Sequence, residues 1–128
     1  MFTGELMKRL EINCQVVSIK LTSYEGTQTT GKVREAMGLT ADVAGRRVIV
    51  VEDIVDSGNT IVELKEILAS KGAAESRICT MLLKPEAYKK DVAIDYVGLE
   101  IPNDFIVGFG LDYDEYGRNF KDIYVLDE

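Results

Sequence analysis

The chain has 128 residues, enough for one domain with a modest core, and it carries 22 acidic against 15 basic residues for a formal charge of −7. That acid excess disfavours nonspecific nucleic-acid binding, which depends on Lys and Arg, and no apolar run is long enough to span a bilayer or laid out as a signal peptide, so a cytosolic chain away from membranes is expected. Histidine is absent, which removes Ser-His and Cys-His nucleophile systems and most zinc sites and leaves Asp, Glu, Lys or Tyr as any general base.

Phe2, Leu6 and Leu10 recur at helical spacing with Met7 beside them, so the chain is expected to open on an amphipathic helix. A strand is expected over 14–21, and further strands over 47–51, 77–83 and 96–99, with short pieces at 105–107 and 123–126. Cys14 and Cys79 both lie in strand-like contexts and read as reduced core thiols rather than a bridge or metal ligands. Residues 22–45 form the longest stretch without a core pattern, rich in Thr and Gly, and such a loop is either a lid or simply solvated. A helix over 61–70 should stop at Lys71 and Gly72, where a cation and a glycine suit a carboxyl cap. Strand, helix and strand at this spacing predict parallel βαβ units, hence an α/β fold with a mostly parallel sheet flanked by helices, in a single domain over 1–128.

The most informative segment is 48–60. Val48, Ile49, Val50 and Val51 read as a buried parallel strand, and Glu52 and Asp53 mark its carboxyl end, where ligands of open α/β sheets bind. The turn Asp56, Ser57, Gly58, Asn59, Thr60 can aim several backbone N–H groups and the positive end of a helix dipole at one anion, forming a phosphate cup. Thr60 and Glu63 also fit a capping box. Glu52, Asp53 and Asp56 crowd three carboxylates into five positions, and their repulsion calls for a cation or hydroxyl donors. The alternative is an ordinary solvated βα loop. A sugar diol with a divalent metal beside a phosphate would satisfy all three.

This segment resembles the phosphoribosyl pyrophosphate (PRPP) motif of type I phosphoribosyltransferases, and every position of that pattern is filled. It is neither a Walker loop nor a dinucleotide fingerprint. Around Lys84, Phe105 to Tyr113 and Gly117 to Asn119, the second half is similar to the hypoxanthine-guanine phosphoribosyltransferase family. The resemblance implies a type I phosphoribosyltransferase fold with residues 22–45 as a flexible lid carrying Ser23 and Tyr24. It implies transfer of phosphoribosyl from PRPP to a 6-oxopurine, with the 5′-phosphate in the cup of 56–60 and Glu52 and Asp53 on the ribose hydroxyls and metal. Asp56 would exchange a proton with purine N7 as general acid/base. Lys84 would donate to the 6-oxo group, Phe105 would stack on the base, and Ile106 would read its edge through the main chain. Asp112 would join Glu52 and Asp53 at Mg2+, and Arg118 would face the pyrophosphate. A homo-oligomer, dimer or tetramer, is also implied. Without the resemblance, Lys84 reads as an exposed strand-end lysine, Phe105 as core, and Asp112 and Arg118 as solvated charges.

One departure bears on all of this. The family places a further strand and a glycine-containing pyrophosphate loop before the helix that begins here near Phe2. Its usual strand lies between those ending at Leu21 and Val51, so an N-terminally truncated sheet with an open interior position is expected, with weak transfer by these residues alone. The competing reading is a noncatalytic PRPP or nucleotide-binding regulator, or an inactive fragment, that keeps the cup.

Overall fold

In a computed structural model, residues 1–23, 33–37 and 42–127 are described. The chain opens on α1 (Phe2–Met7), followed by β1 (Lys20–Ser23) and β2 (Val33–Met37). The central unit is β3 (Arg47–Val55), α2 (Asn59–Ser70), β4 (Glu75–Leu83) and β5 (Tyr96–Glu100), and the chain closes with β6 (Ile106–Val107) and β7 (Tyr124–Val125). β3, β4 and β5 form a parallel sheet in that order, as the βαβ spacing predicts. β1 with β2, and β6 with β7, are antiparallel pairs.

The core lies between α2 and the sheet. Ile61, Leu64 and Leu68 recur every three or four residues along α2, so they share one face and pack on Val50, Val55 and Ile78. Burying each such side chain contributes about 1.5–3 kcal/mol, which fixes α2 across the sheet and its amino end at the sheet's carboxyl edge. The helix stops where expected: Gly72 (φ +83) donates to the Ala69 carbonyl and Ala73 to that of Leu68, a pairing that satisfies the last carbonyls.

Several expectations are corrected. No strand runs over 14–19; β1 begins only at Lys20 and pairs antiparallel with β2, inside the stretch expected to lack pattern. With no ladder over 14–19, Cys14 is exposed together with Val16 and Val17 and is not a core thiol. Cys79, on β4, is half-buried, and burial pushes its thiol pKa up, as suits an inert reduced thiol. α1 ends at Met7, leaving Leu10 exposed, while Phe2 and Leu6 are half-buried. Among the described residues, β3 has a strand partner on one side only, with α1 lying near it.

Candidate functional site

β3 is longer than its apolar run suggests, because Glu52 and Asp53 continue the ladder rather than ending it: Glu52 pairs with Thr80, and Val55 with Leu83. One step beyond, the Lys84 N–H donates to Val55 O at 3.0 Å. That bond holds Lys84 beside Asp56 at the carboxyl ends of two adjacent parallel strands. Lys84 Nζ and Asp56 Oδ2 lie 3.4 Å apart, with side-chain exposures of 8 % and 56 %. Lys84 is therefore not an exposed strand-end lysine. A buried ammonium has three protons to place, so a dry acceptor next to Asp56 would complete its surroundings.

The cup follows directly. Gly58 caps α2 from the left-handed region (φ +85), and no side chain caps the helix among the described residues. The capping box centred on Thr60 is thus not formed, because the helix begins one residue before Thr60 and places it in the first turn. The consequence favours the anion reading, since the amino end of a 12-residue helix is left for a ligand to cap. Ser57, Asn59 and Thr60 are exposed around it, while Gly58 is buried. A Cβ on Gly58 would collide with the ring of Tyr88, which closes the cup from behind and donates from its hydroxyl to Val92 O. Sequence reasoning missed Tyr88, for no periodicity or motif marks it.

Glu52 and Asp53 are half-buried. Burial first, and then the neighbouring Asp53 carboxylate, raise the Glu52 pKa above the ordinary carboxylate range. The chain turn at Gly108, Phe109 and Gly110, all with positive φ, comes back to this point: a Cβ on Gly110 would sit 3.9 Å from Asp53 Oδ2. The two glycines flanking Phe109 were the sequence signal for that turn. No group of three carboxylate, Cys or His side chains among the described residues gathers closely enough to hold a metal by itself. The expected set of Glu52, Asp53 and Asp112 therefore does not form a closed protein cage. The adjacent carboxylates of Glu52 and Asp53 still fit magnesium, which is commonly held by one or two carboxylates together with substrate phosphates and water.

Asp112 and Arg118 pair with each other at the surface, Arg118 59 % and Asp112 35 % exposed. Arg118 Nη2 lies 3.2 Å from Asp112 Oδ1, and Nη1 donates to Gly110 O at 2.9 Å. The other Asp112 oxygen accepts the Glu115 N–H at 2.9 Å. Phe105 is 53 % exposed, which excludes the core reading, and its ring meets Tyr113 edge to face with centroids 5.8 Å apart. Leu126 N–H donates to Phe105 O, so Ile106, paired with Val125, takes the non-hydrogen-bonded position of the β6–β7 ladder. Its N–H and C=O consequently face away from β7. The β6 region connects to the Lys84 end of the sheet through the Ile101 N–H, which donates to Leu83 O. Ser23 lies in β1, opposite Val33, and Tyr24, with residues 25–32 and 38–41 of the expected lid, lies outside the described residues.

Residues 1–114 match the family model described as phosphoribosyl transferase domain. The chain is 42% identical over 128 residues to a hypoxanthine-guanine phosphoribosyltransferase of Mycobacterium tuberculosis, covering 99% of this chain and 63% of that protein. It is 38% identical to the Streptococcus thermophilus protein of the same name, covering 99% of this chain and 71% of that one. Among solved structures, it superposes with TM-score 0.89 at 38% identity on a hypoxanthine-guanine phosphoribosyltransferase of Bacillus anthracis, over 98% of this chain and 75% of that one. A Trypanosoma cruzi hypoxanthine phosphoribosyltransferase complexed with the product IMP gives TM-score 0.89 at 33% identity, over 99% of this chain and 66% of that one. The chain thus spans under two thirds of the mycobacterial relative's length.

Proposed function

Because this chain belongs to the phosphoribosyl transferase domain family, we propose that it serves purine salvage, transferring 5-phosphoribosyl from PRPP to N9 of hypoxanthine or guanine to give IMP or GMP and pyrophosphate. The observation that carries this reading is the Lys84–Asp56 couple, a donor and an acceptor 3.4 Å apart at the mouth of the cup. A 6-oxopurine with a proton on N7 offers an acceptor and a donor side by side on one edge, complementary to that couple. Adenine would set its amino donor against the Lys84 ammonium and leave it unpaired, which a buried polar site rejects strongly.

The uncapped amino end of α2, with the N–H groups of Ser57 to Thr60, holds the 5′-phosphate. Glu52 and Asp53 would hold the ribose hydroxyls and, with PRPP, a magnesium ion, which when bound would supply charge neutralisation of the leaving pyrophosphate. Asp56 accepts the N7 proton as the N9–C1′ bond forms, and Lys84 steadies the charge that develops on the oxo group. Phe105 stacks on the base, and the outward Ile106 main chain reads its edge. Asp112 faces the magnesium and Arg118 the pyrophosphate, each from within the pair that they form with each other. Ser23 and Tyr24 belong to the lid that excludes water from the sugar cation. The protein is proposed to act as a cytosolic homo-oligomer without a nucleic-acid or membrane partner; the formal charge of −7 disfavours nonspecific nucleic-acid binding.

Turnover of hypoxanthine with PRPP and magnesium tests the reading. Asp56→Asn should lower kcat by about 10² to 10⁴ while PRPP still binds, the usual range for losing a general acid/base. PRPP affinity should also fall when magnesium is chelated. A protein that binds PRPP and IMP but forms no nucleotide would instead be the noncatalytic regulator.

A further inference from the structure

The segment following Phe105 contains a turn that is costly to build. Tyr113 and Tyr116 exchange both main-chain hydrogen bonds, at 2.8 and 2.9 Å, which leaves Asp114 and Glu115 as the two central residues of a tight reversal. Both sit in the left-handed region, at φ +52 and +69. Such a two-residue turn ordinarily takes Asn or Gly, and a long side chain such as that of Glu115 is a poor fit.

The turn is braced from outside. Asp112 accepts the Glu115 N–H, Arg118 pairs with Asp112, and Arg118 and Gly110 exchange two further hydrogen bonds. Strain retained under this much bracing points to a placement that must be kept. What the turn places is the Tyr113 ring, 85° to the Phe105 ring at 5.8 Å. Neither ring is packed into the core, since both are more than half exposed, so they are not held there by burial.

We propose that Tyr113 is a positioning residue for base recognition: the braced turn 112–118 sets its ring against Phe105, which keeps Phe105 in the orientation that receives the purine. This rests on the assignment of Phe105 as the stacking residue. Touching neither PRPP nor the reacting atoms, Tyr113 should affect ligands that carry a base and spare those that do not. An exposed phenylalanine without that neighbour would occupy several rotamers and would have to be ordered by each incoming base.

The test compares Kd values for IMP and for PRPP, both of which engage the phosphate cup while only IMP carries the base. Tyr113→Ala should raise the IMP Kd about 3- to 10-fold, the range for an aromatic pair, and leave the PRPP Kd unchanged. Tyr113→Phe, which keeps the ring, should behave as the parent protein. In a Phe105→Leu background, Tyr113→Ala should add nothing further. The aromatic resonance of Phe105, identified by its disappearance in Phe105→Leu, should shift in Tyr113→Ala without any ligand. Equal losses for IMP and PRPP, full additivity with Phe105→Leu, or an unmoved Phe105 resonance would each overturn the proposal. If the resonance shifts but Phe105→Leu leaves IMP binding intact, the base-stacking assignment has failed and the proposal falls with it, although the ring contact stands.

Discussion

Replacing Lys84 with methionine keeps the volume of the side chain and removes its charge, and the structure sets the size of two opposite effects. At 3.4 Å, with an effective dielectric constant of about 20, the attraction between Lys84 and Asp56 is about 5 kcal/mol. Against it stands the cost of burying the ammonium, itself several kcal/mol. Removing one partner of a buried pair is usually severe because the other charge is stranded. Here the Asp56 side chain is 56 % exposed and is simply hydrated again. Fold stability should therefore change by no more than about 1 kcal/mol, a shift of about 3–5 °C in Tm for a domain of this size. Base recognition has no such compensation. A hydrogen bond from a charged donor contributes about 1.5–3 kcal/mol, so Lys84→Met should weaken IMP by about 10- to 150-fold while PRPP holds its affinity. Thermal melts and calorimetric titration of both ligands measure the two effects on one sample. Equal losses for IMP and PRPP, or a stability loss above about 3 kcal/mol, would show that Lys84 is a structural element and not a reader of the oxo group.

Two further outcomes follow from the acidic strand and the cup. Glu52 has a folded pKa above its ordinary value of 4.5, so the folded state binds that proton more tightly than the unfolded chain, and stability falls as pH rises through the window from about 4.5 to the raised value. Glu52→Gln should accordingly melt higher than the parent protein near neutrality, by a margin that grows as pH rises from 4.5, while binding magnesium-PRPP more weakly; a margin that shrinks with pH would refute the burial argument. Gly58→Ala meets both the left-handed φ and the Tyr88 ring, so it should cost about 2–4 kcal/mol and abolish PRPP binding. In the Gly58→Ala, Tyr88→Ala double variant, adding the alanine at 58 should cost only the backbone strain, and an undiminished cost would place the clash elsewhere.

Local patterns in the sequence were enough for the parts of this protein whose physics is local. Four β-branched residues identified β3, although only Val50 among them is buried and Ile49 is 55 % exposed, and Lys71 with Gly72 identified the end of α2. The turn from Asp56 to Thr60 leading into α2 was legible because glycine at a helix start is a backbone property. The errors occurred where a segment's state depends on a distant partner. Residues 14–19 have strand composition but no ladder, and the stretch taken as patternless contributes β2, since hydrogen-bond partners rather than propensity decide whether an extended segment is a strand. Thr60 and Glu63 have the spacing of a capping box, yet the helix starts before them. The pairings that matter to the site were also beyond local reading. That Lys84 is buried against Asp56, that Arg118 is tied to Asp112, and that Tyr113 meets Phe105 follow from register and turn geometry over separations that no periodicity spans. The sequence by itself determined which chemical groups the protein possesses and which short segments present them. Only the tertiary structure decided which charges are dry, because burial and partnership are properties of the packed chain, and a lysine at a strand end is the same residue in either setting until the fold removes its water.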